Sequence, residues 1–384
     1  MDNFIFHNPV KIIFGRGQTP LIANEIPQSA KILITCGGGS IRKNGVYDRV
    51  IDALKERSYV EFWGIEPNPS FETLMKAVEM GREEKIDFML AVGGGSVADG
   101  TKLIAAAIPF EGDPWDIVRG KAKPANAVPF GCVLTLPATG SEMNCGAVIT
   151  RRVTKEKLSF RHPSVYPKFS VLDPEFTYTL PPKQVANGIV DTFVHVAEQY
   201  LTFPANAAIQ DRFSEGILRA LLEEGPKTLA NPTDYDSRAN LMWAATMGLN
   251  GLIGCGVPQD WATHWIGHEL TAFFGLDHAQ TLAVVLPNLL WSLRDPKRQK
   301  LLQYARRVWS IHDGNDDEAI ERAIVSTRAF FEHLGLPTHL AELGITTDCS
   351  DEMIARFQAR GMLPMGESKA LDEGKIKEIL RAAR

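Results

Sequence analysis

The sequence predicts an α/β N-terminal domain on a Rossmann-like parallel sheet, followed by an all-α C-terminal helical domain. Three observations predict it. Apolar runs alternate with helix-periodic segments through the first half, the pattern of a parallel sheet covered on both faces. Two of those runs end in one tetrad, Gly37-Gly38-Gly39-Ser40 and Gly93-Gly94-Gly95-Ser96. Strand signals then stop around Pro174, Pro181 and Pro182, and helical periodicity takes over from Ile189. The boundary is set near Pro181, giving residues 1–181 as the α/β domain and 182–384 as the helical domain.

The elements follow in order. KILITC is a β-branched run stopped by glycines, and VYDRVIDALKER after it has helical spacing. VEFWGI reads as a strand, and FETLMKAVEMGREEK as a helix with Ser70 as its N-cap. DFMLAVGGGS is a buried strand running into glycines, and VADGTKLIAAAI continues as a helix. VPFGCVLTLPATGSE is a further strand entering a polar turn. Downstream, QDRFSEGILRALLEEG, RANLMWAATMGLN and EAIERAIVSTRAFFEHLG all read as helices.

Composition narrows the function. The formal net charge is −5, and the cationic stretch Arg294–Arg307 reads as a solvated helix face. Neither nucleic acid nor an anionic membrane is an expected partner. Five cysteines with no CxxC pair predict a reducing, cytoplasmic location. The opening MDNFIFHNPVKIIFG lacks a basic stretch followed by an apolar run, so no signal peptide is expected. No apolar run reaches the ~18–20 residues that span a bilayer.

Two glycine turns leading into helices present backbone N–H groups to phosphate. The GxGxxG fingerprint with its downstream acid is absent, so a nucleotide site of another style is predicted. The first turn continues Ser40-Ile41-Arg42-Lys43 without an acid. A hydroxyl and two cations suit the 2′-phosphate of NADP better than the bare ribose of NAD.

The second cluster is metal-like. Asp191 and His195 are four apart, as are His264 and His268, and His278 follows. Residues at i and i+4 share a helix face. Four such side chains can hold one divalent cation and leave a position open. His268 is open to three roles at this stage: ligand, proton relay, or a residue orienting a ligand.

Together these residues resemble the iron-containing (group III, metal-dependent) alcohol dehydrogenases over nearly the whole chain. The marks are GGGSVADGTK at 93–102, TLPATGSE at 135–142, Asp191-x3-His195 and His264-x3-His268-x9-His278. FGRG, EPNP and the first GGGS turn are most similar to the NADPH-dependent aldehyde reductase and butanol dehydrogenase branch. The resemblance implies reversible hydride transfer between NADP(H) and short aldehydes, mainly as a reductase, with one Zn or Fe ion per chain. It implies Asp191, His195, His264 and His278 as ligands, with His268 beside the nicotinamide or substrate. It sets Gly94, Gly95 and Ser96 at the pyrophosphate with Asp99 nearby, and Thr135 and Thr139 at phosphate or ribose. Gly38 and Ser40 would meet the 2′-phosphate, Lys157 the cofactor, and Asn144 the substrate side of the nicotinamide pocket. A homodimer is also implied. One departure is Asp277-His278-Ala279, where many members have Pro-His-Gly.

The alternative enzyme class is a sugar-phosphate cyclase resembling dehydroquinate synthase, which needs several cations around its metal. Only Lys183 is near the ligands in sequence, which counts against it. A protein that only binds metal or nucleotide would not need both sets.

Overall fold

The computed structural model describes residues 1–384. Its strands are β1 (Lys11–Phe14), β2 (Lys31–Cys36), β3 (Ser58–Phe62), β4 (Phe88–Gly94), β5 (Phe130–Leu136), β6 (Gly146–Arg151), β7 (Glu156–Arg161) and β8 (Phe169–Leu172). Six of them form one parallel sheet in the order β1-β8-β5-β4-β2-β3, and β6 and β7 pair as a separate antiparallel hairpin. Helices of nine or more residues are α1 (Val46–Leu54), α2 (Phe71–Glu83), α3 (Gly95–Ala107), α4 (Pro182–Tyr200), α5 (Ala208–Ala230), α6 (Tyr235–Leu249), α7 (Ala262–Phe274), α8 (His278–Ser292), α9 (Arg298–Arg307), α10 (Asp316–His333), α11 (Ser350–Ala359) and α12 (Glu373–Ala382).

Strand alternation splits the α/β core into two. Ile32, Ile34, Phe88, Leu90 and Val92 pack one face with Val46, Val50 and Leu54 of α1. Leu33, Met89 and Ala91 face the other way, in a cluster with Leu74 and Ala77 of α2 and Leu103 of α3. A period of two on strands buried on both sides gives this division. Ser70 caps α2 as expected, its Oγ accepting from Thr73 N at 3.3 Å. From β2 the chain steps outward to β3, then returns to β4 on the opposite flank of β2. The strand order therefore reverses between β2 and β4, the two strands that carry the glycine tetrads. Such switch points, at the carboxyl ends of parallel strands, are where open α/β sheets bind ligands.

The hairpin β6–β7 and the short strands β1, at the sheet edge, and β8, beside it, fall outside the sequence expectations. The hairpin is anchored by a buried lysine. Lys102 Nζ donates to Ser141 Oγ at 2.8 Å, Asn144 Oδ1 at 2.9 Å and Gly146 O at 2.6 Å. Asp99 Oδ1 accepts from Ser141 Oγ at 2.6 Å and its Oδ2 from Val148 N at 2.8 Å.

The chain divides into two compact units, and not by one cut at residue 181. One unit holds His7–Pro181 with Asn231–Asn250; the other holds Met1–Phe6, Pro182–Ala230 and Gly251–Arg384. Helix α6 joins the α/β unit because its faces are used there. Met242 packs with Leu134 and Leu172, Trp243 meets Phe14 edge-on at 6.0 Å, and Thr246 Oγ1 donates to Glu142 Oε1 at 2.5 Å. Met1–Phe6 joins the helical unit, where Asp2 N donates to Gly256 O at 2.9 Å.

In the helical unit α4 packs against α5, α7 and α8. A second buried lysine braces the approach to α7. Lys297 Nζ lies 2.8 Å from Asp260 Oδ2, 2.9 Å from Glu367 Oε1 and 2.7 Å from Leu201 O. Asp260 Oδ1 accepts from Ala262 N at 3.0 Å, the first N–H of α7. Lys297→Met would leave two buried carboxylates without their cation. The expected loss of stability is about 3–5 kcal/mol, read as a lowered urea midpoint. An unchanged midpoint would show that the triad is not a brace.

Candidate active site

Asp191 and His195 stand one turn apart on α4, 4 % and 5 % exposed. Helix α7 brings His264 to them, and α8 opens on His278. Three imidazole Nε2 atoms converge on Asp191 Oδ1, from His195 at 3.6 Å, His264 at 3.8 Å and His278 at 3.6 Å. Asp191, His195 and His264 offer donor atoms all within 4.8 Å of one another. The His195 and His264 rings stack at 4.6 Å and 18°.

This arrangement fits a divalent cation. The three separations from Asp191 Oδ1, 3.6–3.8 Å, are close to the roughly 3.3–3.6 Å between corners of a tetrahedron whose bonds to zinc are ~2.0–2.2 Å. His264 Nε2 is buried and has no hydrogen-bond partner in the protein, a cost that a ligand atom would relieve. Three imidazoles and a carboxylate suit zinc or iron.

Electrostatics agree with the geometry. Burial pushes His195 down to about 4, with Asp191 opposing the shift, so its ring is neutral at neutral pH. Burial also lowers His264, but the charge of Glu198 and the nearby Asp191 outweigh it and lift the ring to about 9. A cation in the cluster would take the place of that proton.

His268 lies one turn beyond His264, with its ring 5.2 Å from that of His278 and 6.2 Å from that of His264. The His278 side chain is 22 % exposed, so the cluster reaches solvent on that side. Trp261 meets His195 and His264 edge-on at 6.2 and 5.4 Å, whereas Phe273 is covered by Arg356 at 4.3 Å. Lys183 Nζ pairs with Asp277 Oδ2 at 2.7 Å, tying the start of α4 to the residue before His278. The one cation near the ligands in sequence is thus committed to that loop, and the cyclase reading loses its remaining support.

The sequence reading overlooked Glu198. It is 3 % exposed, contacts His264 Nδ1, and accepts from Thr263 N at 2.6 Å. Its signal was present, because Asp191, His195 and Glu198 sit at i, i+4 and i+7 on one helix face.

The glycine turns occupy the α/β unit. No side chain caps the N-terminus of α3, which begins at Gly95 after Gly94. A Cβ at Gly95 would lie 2.3 Å from Thr139 Oγ1, so this turn and the Thr139 loop touch directly. Ser96 and Thr139 are half-buried, while Thr135 is buried in β5. Gly38 and Ser40 are exposed beyond the end of β2, with Gly39 at φ +98° making the turn. Lys157 Nζ donates to Asn68 Oδ1 at 2.9 Å. Asp99 and Asn144 use their polar atoms inside the fold. Asn144 Oδ1 accepts from Lys102 and Gly146 N, and its amide donates to Gly140 O at 2.9 Å. Arg42 is also engaged, its Nη2 3.1 Å from Glu61 Oε2 and its guanidinium over the Tyr47 and Trp63 rings at 4.1 and 4.3 Å. Lys43 is exposed.

Asp191→Ala and His264→Ala are expected to lose stoichiometric zinc or iron, while His268→Ala retains it. Elemental analysis after dialysis measures this. Full metal content in Asp191→Ala would sink the ligand set.

Comparison with known proteins shows the family. Residues 9–174 match the family described as iron-containing alcohol dehydrogenase, and residues 185–384 match the C-terminal part of the Fe-containing alcohol dehydrogenase family. The chain is 57% identical to the NADPH-dependent aldehyde reductase YqhD of Escherichia coli K12, covering 100% of both chains. It is 39% identical to NADH-dependent butanol dehydrogenase A of Clostridium acetobutylicum, with 99% of each covered. The crystal structure of E. coli K-12 YqhD superposes with a TM-score of 0.98 at 56% identity, over 100% of this chain and 99% of that one. The structure named for NADH-dependent butanol dehydrogenase A from Thermotoga maritima gives 0.95 at 37% identity, over 100% and 99%. With both halves matched and the carboxylate–imidazole cluster in place, the chain belongs to the iron-containing alcohol dehydrogenase family.

Proposed function

We propose that this alcohol dehydrogenase reduces short-chain aldehydes to primary alcohols with NADPH, at one zinc or iron ion per chain. The observation that carries the reading is the convergence of His195, His264 and His278 on Asp191 Oδ1. When bound, the metal supplies Lewis-acid polarisation of the carbonyl and NADPH supplies the hydride.

The chain's own residues do the rest. Asp191, His195, His264 and His278 hold the ion, and burial keeps the His195 lone pair free of protons. His268, beside His278, supplies the proton that the product alcohol gains, directly or through water. Gly94, Gly95 and Ser96 present the uncapped start of α3 to the cofactor diphosphate. Thr139 abuts that turn, with Thr135 on the same strand-to-loop segment. Lys102 and Asp99 hold the loop from behind, and Asn144 belongs to the same brace. Gly38, Ser40 and Lys43 are our candidates for the 2′-phosphate, with Arg42 held by Glu61 beside them. Lys157 is the candidate cation on the hairpin.

The relatives divide on cofactor, since the E. coli protein is named NADPH-dependent and the butanol dehydrogenase of Clostridium acetobutylicum NADH-dependent. The basic first turn, without an acid of its own, supports NADPH. A cytoplasmic location is our proposal too, supported by five free cysteines. No helix is long and apolar enough to cross a membrane.

The deciding assay is NADPH oxidation with butanal on protein stripped of metal and reloaded with Zn²⁺ or Fe²⁺. Turnover is expected to return with metal and to fall at least tenfold in kcat/KM when NADH replaces NADPH. Equal use of NADH would overturn the cofactor assignment, and no turnover with either ion would overturn the reductase reading. We also propose a homodimer, supported by Phe4, Ile5 and Phe6 at 51%, 96% and 43% exposed. Sedimentation velocity should then report twice the 42.4 kDa chain mass, and a monomer at micromolar concentration would refute it.

A further inference from the structure

We infer that Glu198 is a positioning residue for the metal site, fixing both the tautomer of His264 and the point from which its helix starts. The inference rests on the metal reading above. Glu198 stands two turns after Asp191 on the same face of α4 and is 3 % exposed. One carboxylate oxygen contacts His264 Nδ1 and the other accepts from Thr263 N at 2.6 Å. Its backbone carbonyl accepts from Asp260 N at 3.0 Å, just before the start of α7. A single residue thus grips the loop, the helix and the ring.

The chemistry follows from counting donors. A carboxylate has acceptors on both oxygens. With one oxygen on the Thr263 N–H, the other requires a donor, so His264 must carry its proton on Nδ1. That leaves the Nε2 lone pair for the cluster around Asp191 Oδ1, where Nε2 stands 3.8 Å from the oxygen. Imidazole ligands are commonly oriented in this way by a carboxylate on the second nitrogen.

Glutamine at 198 separates this role from simple packing. Its shape is nearly the same, but one oxygen becomes an NH₂ donor. If the amide oxygen serves Thr263 N, the NH₂ faces His264 Nδ1, turns it into an acceptor and moves the ring proton to Nε2. If the oxygen serves His264, the NH₂ opposes the Thr263 N–H. The first arrangement removes the Nε2 lone pair; the second keeps it but breaks the Thr263 contact that holds the start of the helix.

The experiment is chelator competition for Zn²⁺ on the full chain, comparing wild type, Glu198→Gln and Asp191→Ala, with thermal melts of the metal-free proteins alongside. Glu198→Gln is expected to stay folded without metal, melting below wild type for want of its contact with the His264 ring, yet to bind Zn²⁺ about 10–100-fold more weakly. The Co²⁺-loaded form should show an altered visible spectrum. Wild-type affinity in Glu198→Gln, with affinity lost in Asp191→Ala, would overturn the role of Glu198 alone. Affinity retained in Asp191→Ala would overturn the metal site beneath it. If Glu198→Gln does not fold, ¹⁵N-histidine spectra of the unmutated Zn²⁺ form decide. A protonated Nδ1 on His264 supports the inference, and an unprotonated Nδ1 overturns it.

Discussion

Taking an ammonium out of water costs several kcal/mol unless protein oxygens replace the lost hydration. This chain does so at Lys102 and Lys297, among other buried lysines, and both functional regions lean on these two. Lys102 is fully buried and gives its three N–H groups to Ser141, Asn144 and Gly146. Those acceptors span the segment between the Thr139 loop and the hairpin, behind the uncapped start of α3. Lys297 is held by Asp260, Glu367 and Leu201 O. Asp260 in turn accepts from the first N–H of the helix that carries His264 and His268. An ammonium offers three directed donors, so a three-oxygen cage fixes position as well as charge. Apolar packing alone would tolerate small slips of these loops.

Helix α4 converts that rigidity into chemistry. From Val185 to Tyr200 it is almost wholly buried, so its apolar and polar faces are both committed. Phe193 packs against Phe330 and Phe331 of α10 at 5.8 and 5.4 Å, while Asp191, His195 and Glu198 point into the histidine cluster. A helix clamped this way has little freedom to rotate. Sites on such elements hold geometry better than sites on loops.

Much of this was legible in the sequence. Strands buried on both faces give unbroken apolar runs, so β2, β4 and β5 announce themselves, and the i, i+4 spacings disclose two helices bearing ligands. Other features lacked a local signal. β1 and β8 are four residues each, too short for a period to develop. The β6–β7 hairpin carries Arg151, Glu156, Lys157 and Arg161, and its first strand is held by Lys102 and Asp99, partners more than forty positions away in sequence. Periodicity shows that α6 has an apolar face but not which core it meets, hence its misassignment to the helical domain. Arg42 read as a free cation because its partner, Glu61, is nineteen positions away on a neighbouring strand.

The return of α6 to the α/β unit ties the order of folding to the order of synthesis. The chain enters the helical unit at Pro182, leaves it at Asn231 and re-enters it at Gly251. Until residue 250 has emerged from the ribosome, Leu134 and Leu172 lack Met242, and the Glu142 carboxyl lacks Thr246. The α/β unit therefore cannot be finished before the first two long helices of its neighbour have been made. A domain ordinarily folds as its own stretch of chain appears. Here both main cores of the α/β unit can close earlier, but its last helix arrives only after α4 and α5 have been made.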